Sequence, residues 1–321
     1  MTTPALEATD LVVEFPVGRG QKVHAVSGVS LTVAPGETLG ILGESGCGKS
    51  TIGRALIQLP APDSGSVRLG GRELTGLKAR ELRRARARMQ IIMQDPISSL
   101  NPRRKVKDLV FESHAIWGYD GPDKDTKIDE VLRAVGLDPE TVRDRRPHEL
   151  SGGQAQRVCI ARALMMDPDV LICDEPVASL DVSVQAQILN LLEATKERYD
   201  LSLVFIAHDV AVVKNISDRV MVMYLGKSCE VIPSEDLHLR AVHPYTRLLL
   251  SSLPEAHHQS SHVGDAMVER VATELPSPLD PPSGCRFRTR CPLATDRCAA
   301  EEPLLRAVGR GHQVACHNVA V

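Results

Sequence analysis

The sequence predicts an α/β protein built around an open parallel sheet, and three observations carry that prediction. An apolar segment, Thr38-Leu39-Gly40-Ile41-Leu42, runs into the glycine-rich turn Gly43-Glu44-Ser45-Gly46-Cys47-Gly48-Lys49-Ser50-Thr51 and then into a helical pattern. A second apolar run, Val170-Leu171-Ile172-Cys173, ends in the acidic pair Asp174-Glu175. Two more short apolar runs, at 203–206 and 220–223, are separated by helical segments, the alternation of buried parallel strands with crossover helices.

Taken in order, residues 6–42 read as short β-rich segments at 11–15, 29–33 and 38–42, with a turn at Pro35-Gly36. The helix after the glycine-rich turn is expected to run through 52–59 and to stop at Pro60-Ala61-Pro62-Asp63-Ser64-Gly65. A short strand follows at 67–69, and the stretch from about 78 to 165 reads as helical. The basic run at 78–88 is read as a solvated helix face, because the chain as a whole is not basic. From His257 the composition turns polar and proline-rich, including His257-His258-Gln259-Ser260-Ser261-His262, Pro276-Ser277-Pro278 and Pro281-Pro282. That marks a linker, rather than a metal-binding histidine tract, leading to a small terminal module.

At 321 residues the chain exceeds one average domain, so the expected division is a main domain at 1–256 and an extension at 257–321. A formal net charge of −3 argues against general affinity for nucleic acid. No segment approaches the roughly 18 apolar residues of a membrane helix. Because the first residues lack a basic cluster leading into an apolar core, a cytoplasmic protein is expected. Four of the eight cysteines, Cys285, Cys291, Cys298 and Cys316, gather near the end. In a reducing compartment such a group points to a metal or cluster site sooner than to disulfides. Their spacing lacks the paired Cys-x-x-Cys of zinc ribbons, and four soft ligands leave iron–sulfur, zinc and free thiols all open.

The glycine-rich turn has the residue types that phosphate binding requires. Gly43, Gly46 and Gly48 let backbone N–H groups turn inward around phosphate oxygens, and the helix near Lys49 adds its positive N-terminal end. Lys49 is expected to bridge the β/γ oxygens, Ser50 to place its hydroxyl on Mg²⁺, and Thr51 to serve the α-phosphate. Asp174 is expected to hold Mg²⁺ through water, and Glu175 to act as general base or to orient the attacking water. Farther along, Ser151-Gly152-Gly153-Gln154 has the S-x-x-Q form of a capping box opening a helix. The cap explains Ser151 and Gln154; two adjacent glycines point instead to close backbone approach to an anion.

Leu150-Ser151-Gly152-Gly153-Gln154, placed between that loop and the acidic pair, resembles the signature of the ATP-binding-cassette (ABC) ATPases. The resemblance implies a P-loop NTPase fold with a RecA-like parallel-sheet core, an N-terminal antiparallel β subdomain, a helical signature subdomain at about 95–165 and a small cysteine-bearing C-terminal extension. It also implies that Gln94 senses Mg²⁺ and the γ-phosphate, that His208 is the switch histidine, and that Phe15 stacks on adenine, although an ordinary core Phe is the competing reading. Ser151, Gly152, Gly153, Gln154 and Asp181 would then meet ATP across a dimer interface, and binding and hydrolysis would close and open the dimer. Pro176-Val177-Ala178-Ser179 departs from the family in having Val and Ala where small hydroxyl residues are common.

Two further stretches, 94–102 around Gln94-Asp95-Pro96 and 243–250 beginning His243-Pro244-Tyr245, resemble the ATPase subunits of dipeptide and oligopeptide permeases, and the tail at 284–317 is similar to theirs. The loop sequence and Ile97-Ser98-Ser99 look more like the second of the two ATPases in such systems. What this implies is a heterodimer with another ABC ATPase, two transmembrane permease subunits, an extracytoplasmic peptide-binding protein, and a peripheral position on the cytoplasmic face of the inner membrane. It also implies ATP and Mg²⁺ as cofactors, with a [4Fe-4S] cluster on the four cysteines as a structural staple. Nickel and glutathione importers share much of the pattern. Soluble ABC ATPases acting on nucleic acid or ribosomes usually carry tandem cassettes or a long coiled-coil insertion, and neither is present.

Overall fold

The computed structural model describes residues 3–18, 20–117, 121, 123–251 and 275–319; the histidine-containing stretch at 257–262 lies outside them. Its strands, in chain order, are β1 (Leu6–Gly18), β2 (Gln21–Val33), β3 (Thr38–Leu42), β4 (Ser64–Leu69), β5 (Arg72–Glu73), β6 (Met89–Ile92), β7 (Val170–Asp174), β8 (Ser202–Ala207), β9 (Arg219–Tyr224), β10 (Lys227–Pro233), β11 (Arg306–Gly309) and β12 (His312–Val314). The chain divides into two compact units, one comprising Met1–Leu6, Val33–Glu37 and Leu69–Val204, the other Glu7–Thr32, Thr38–Arg68 and Phe205–Val321.

In the first unit, β6 and β7 pair in parallel, Met89 opposite Val170 and Ile92 opposite Cys173. The sequence reads all of 78–165 as helical, and β6 is a correction to that reading. Four residues are too few to show a period, and pairing with the wholly buried β7 decides their conformation. The basic run is as expected, since helix Ala79–Ala87 buries only Ala85. The principal helix, Gly152–Leu164, buries Val158, Cys159, Ile160, Ala161 and Leu164, against which helices Val106–Val110 and Lys124–Ala134 pack. Helix Val182–Tyr199 also packs on it.

In the second unit, β2, β1 and β4 are successive neighbours in one sheet, and β11, β12, β10, β9 and β3 in another. β3 and β9 run parallel, with Ile41 opposite Met221, while β10 returns antiparallel to β9 through the tight connection at Leu225-Gly226. All five residues of β3 are buried, which accounts for its continuous apolar run. Helix Lys49–Leu56 ends three residues before the expected limit. Gln58 takes a left-handed φ of 60°, and its side-chain amide donates to the Ala55 carbonyl, which stops the helix ahead of the prolines.

The cysteine-bearing tail is integral to this second unit. β12 pairs antiparallel with β10, Glu230 opposite Val314, and β11 pairs with β12. Among the described residues no helix is long and apolar enough to cross a membrane.

Candidate functional site

The phosphate loop leaves the end of β3 and enters helix Lys49–Leu56 with Gly48 as its N-cap, at φ 102°. A Cβ on Gly48 would fall 2.1 Å from the Ala25 carbonyl oxygen, and one on Gly43 2.3 Å from that of Met223. Glycine is therefore required at 43 and 48 by packing against the neighbouring strands, and at 48 by backbone conformation as well. Lys49 is buried, and its Nζ donates to the carbonyls of Gly43 at 2.8 Å and Glu44 at 3.0 Å. The ammonium is thus held by the loop's own backbone, where a phosphate oxygen can pair with it. Cys47 is buried beneath the loop, and burial pushes its thiol up to about 11, so it is a packing group and not a thiolate at neutral pH. Ser45, Gly46, Ser50 and Thr51 occupy the loop and first helical turn as the sequence predicts.

Glu44 is held from two sides. Its backbone N–H donates to the Tyr245 hydroxyl at 2.9 Å, and its carboxylate accepts two hydrogen bonds from Arg290, at 2.8 and 3.0 Å. Tyr245 comes from the His243-Pro244-Tyr245 motif, whose role the sequence alone does not disclose. Tyr245 N–H donates to His243 Nδ1, and the backbone N–H groups of Val242 and His243 donate to the carboxylate of Glu230. Glu230 is fully buried and lies 2.8 Å from His312 Nε2. Burial lowers the His243 imidazole to about 4, so it is neutral at physiological pH.

Also in this unit, Phe15 lies on β1 and is exposed, which excludes the core-packing role. His208 is exposed at the end of β8, directly before Asp209, whose carboxylate caps helix Val210–Ile216 by accepting from the N–H groups of Ala211 and Val212.

In the first unit, Asp174 is buried at the end of β7 and Glu175 follows with a left-handed φ of 49°. A non-glycine residue in that region stores strain, and such strain concentrates where side chains are aimed for chemistry. Gln94 Nε2 donates to Glu175 Oε2 at 3.1 Å, so two residues 81 positions apart that the sequence nominated separately stand together.

The signature start forms its capping box: Ser151 Oγ accepts from Gln154 N–H at 3.2 Å, and Gln154 Oε1 accepts from Ser151 N–H at 3.1 Å. A Cβ on Gly153 would lie 2.8 Å from Val184 Cγ1, and one on Gly152 3.4 Å from Leu180 Cδ2. Close packing therefore supplies a second reason for glycine at 153, one that sequence reading misses, while the space at 152 is that of an ordinary contact. Asp181 caps helix Val182–Tyr199 by accepting from Val184 N–H and Ser183 Oγ, and the Ser183 hydroxyl leads the contacts that hold its carboxyl below the usual range. Arg162 and Cys159, which belong to no motif, tie Ser99 in the segment after Gln94 to the signature helix. Arg162 donates to the Ser99 carbonyl at 2.7 Å, and the Ser99 hydroxyl lies 3.2 Å from Cys159 Sγ.

The four tail cysteines are free thiols, Cys298 buried and Cys285, Cys291 and Cys316 partly so. Burial raises Cys285, Cys316 and, to about 11, Cys291, and each also feels charge on other members of the set. In number and softness this donor set suits a cluster. Among the described residues, however, no three Cys, His, Asp or Glu side chains form a group that could hold a metal ion, so cluster uptake requires the thiols to draw closer.

A glycine phosphate loop at a parallel strand end, an acidic strand end and a capped Ser-Gly-Gly-Gln helix together define an ABC-type ATPase. Comparison with solved structures agrees: the ATP-binding cassette MJ0796 bound to ADP and phosphate matches with a TM-score of 0.65 at 26% identity, covering 71% of this chain and 98% of that one. CbiO1 from Clostridium perfringens, part of the cbiONQ ABC transporter complex, matches with a TM-score of 0.65 at 25% identity, covering 83% and 99%.

The ABC transporter family pattern covers residues 26–178, and that of the oligopeptide/dipeptide transporter C-terminal region covers 229–298. The chain is 44% identical to the oligopeptide transport ATP-binding protein AppF of Bacillus subtilis, over 97% of its own length and 96% of AppF. It is also 44% identical to the oligopeptide transport ATP-binding protein OppF of Salmonella typhimurium, over 98% and 96%. It belongs to the oligopeptide/dipeptide family of ABC transporter ATP-binding proteins.

Proposed function

We propose that this chain hydrolyses ATP to power import of oligopeptides or dipeptides, from a peripheral position on the cytoplasmic face of the inner membrane. Residues 1–256 are read as the nucleotide-binding part and 257–321 as the extension. Two transmembrane permease subunits, a second ABC ATPase and an extracytoplasmic binding protein complete the machine; the names of AppF and OppF support the cargo, and the dimeric cassette MJ0796 supports pairing of two ATPases.

In this reading the loop from Gly43 to Thr51 holds the phosphates, with Lys49 neutralising their charge and Phe15 offering a face to adenine. Ser50, Asp174 and Gln94 hold Mg²⁺, which when bound offsets charge on the phosphate oxygens. Glu175 orients the attacking water and accepts its proton, and His208 assists at the γ-phosphate. Ser151, Gly152, Gly153, Gln154 and Asp181 serve the nucleotide of the opposing ATPase. With their thiols drawn together, Cys285, Cys291, Cys298 and Cys316 would hold a [4Fe-4S] cluster, which would staple a tail with few large apolar residues.

The observation that carries the catalytic reading is the hydrogen bond between Gln94 and Glu175. Glu175→Gln is expected to keep ATP binding and to lower turnover by a factor on the order of 10² or more, as loss of a general base does. Steady-state hydrolysis by that variant at the wild-type rate would refute the assignment. The machine is tested by isolating the full chain from native membranes in mild detergent. Two multi-span permeases and a second ATPase are expected, whereas ribosomal or nucleic-acid-processing companions would overturn the transport reading.

A further inference from the structure

The chain has only four Phe, four Tyr and one Trp, yet Tyr224, Tyr245 and Phe287 meet in one cluster, with ring centroids 4.8 to 5.3 Å apart. Arg290 lies over the Tyr224 ring, 5.6 Å from its centroid, and is almost wholly buried. Phe287 and Arg290 belong to the tail, between Cys285 and Cys291, whereas the guanidinium ends on Glu44, the second residue of the phosphate loop. Among the described residues Arg290 Nε is buried without a partner, and Glu44 supplies the carboxylate that the guanidinium meets. The same Glu44 offers its carbonyl to Lys49 and its N–H to the Tyr245 hydroxyl. One loop residue thus connects a tail cation, the aromatic cluster and the phosphate-binding lysine.

We propose that Arg290 is a positioning residue for ATP: through its paired hydrogen bonds to Glu44, the cysteine-bearing tail braces the phosphate loop in its binding conformation. The inference rests on the reading of 43–51 as the phosphate loop. A planar guanidinium fixes both carboxylate oxygens at once, which an ammonium cannot do, so the orientation of Glu44 is set along with its charge. Arg290 reaches the loop through the Glu44 carboxylate and not through Lys49, so its effect falls on nucleotide affinity.

The test uses the purified full chain and a fluorescent trinitrophenyl-ATP, with ATPase kinetics alongside. Arg290→Met is expected to raise Kd and KM for the nucleotide by about tenfold while kcat changes less than about twofold, a coupling of ordinary size. Glu44→Gln is expected to do the same, and the double variant to be no worse than either single one, because both remove one interaction. Arg290→Lys should recover part of the loss, and it stands in for the Met variant if the latter fails to fold by circular dichroism. Kd and KM within twofold of wild type in Arg290→Met, or additive losses in the double variant, would overturn the brace. Lys49→Ala separates the two readings. If it loses nucleotide while Arg290→Met does not, the brace alone is wrong; if it binds like the wild type, the loop assignment falls and takes the brace with it.

Discussion

The phosphate loop and the signature start are both glycine-rich turns that open a helix, yet they are held in opposite ways. Ser151 and Gln154 fix the signature start by bonding each other's backbone across three positions. Glu44 is fixed by Tyr245 and Arg290, which lie 201 and 246 residues away. A turn that supports itself can be recognised wherever its few residues occur; a turn supported from elsewhere depends on the rest of the fold being in place.

Three measurements can break that contrast or sharpen it. The largest effect is expected from Gly48→Ala, which would drive a Cβ into the Ala25 carbonyl at a φ hostile to side chains. We expect a loss of about 2–4 kcal/mol in denaturant unfolding, from overpacking and left-handed strain together, accompanied by loss of nucleotide binding. A fully stable variant would mean that β2 does not clamp the loop.

The second concerns His243, whose folded-state value of about 4 lies below its ordinary 6.5. Between those values the unfolded chain takes up a proton that the folded chain refuses. The contribution of the neutral imidazole is therefore complete above about pH 6.5 and is lost as pH falls toward 4, by about 3 kcal/mol at most. His243→Asn keeps a polar side chain and removes the titration, so its unfolding free energy should vary less between pH 7 and pH 5 than that of the wild type. Identical slopes would remove His243 from the remote support.

The smallest effect belongs to the self-capped turn. Ser151→Ala is expected to cost about 1 kcal/mol, the ordinary value of an N-cap. In a domain of this size that lowers the melting temperature by about 2–4 °C. An unchanged melting temperature would show that packing by Val184, and not the cap, holds the helix start.

The same contrast governs how much the sequence could disclose. Motifs whose residues are contiguous in sequence were legible: the loop glycines with Lys49, the strand ending in Asp174-Glu175, and the capping box at Ser151. The neighbourhood of Gln94 and Glu175 followed from family resemblance, since nothing in their spacing brings them together. The Glu230 hub, its contact with His312, and the Arg290 pair were not legible, because a buried polar contact between distant residues leaves no periodic trace in either partner. β6 was missed for the related reason that its conformation is dictated by β7. The paired glycines at 152 and 153 carry a signal that points to anion approach, while the structure adds packing of Gly153 against Val184.

The late position of the brace also sets a timetable for synthesis. Glu44 leaves the peptidyl-transferase centre 246 residues ahead of Arg290. At ordinary bacterial and eukaryotic elongation rates that interval lasts roughly 12 to 50 seconds. For that time every nascent copy carries the phosphate-loop sequence without the arginine that bonds Glu44, so the loop gains this support only after residue 290 has been made.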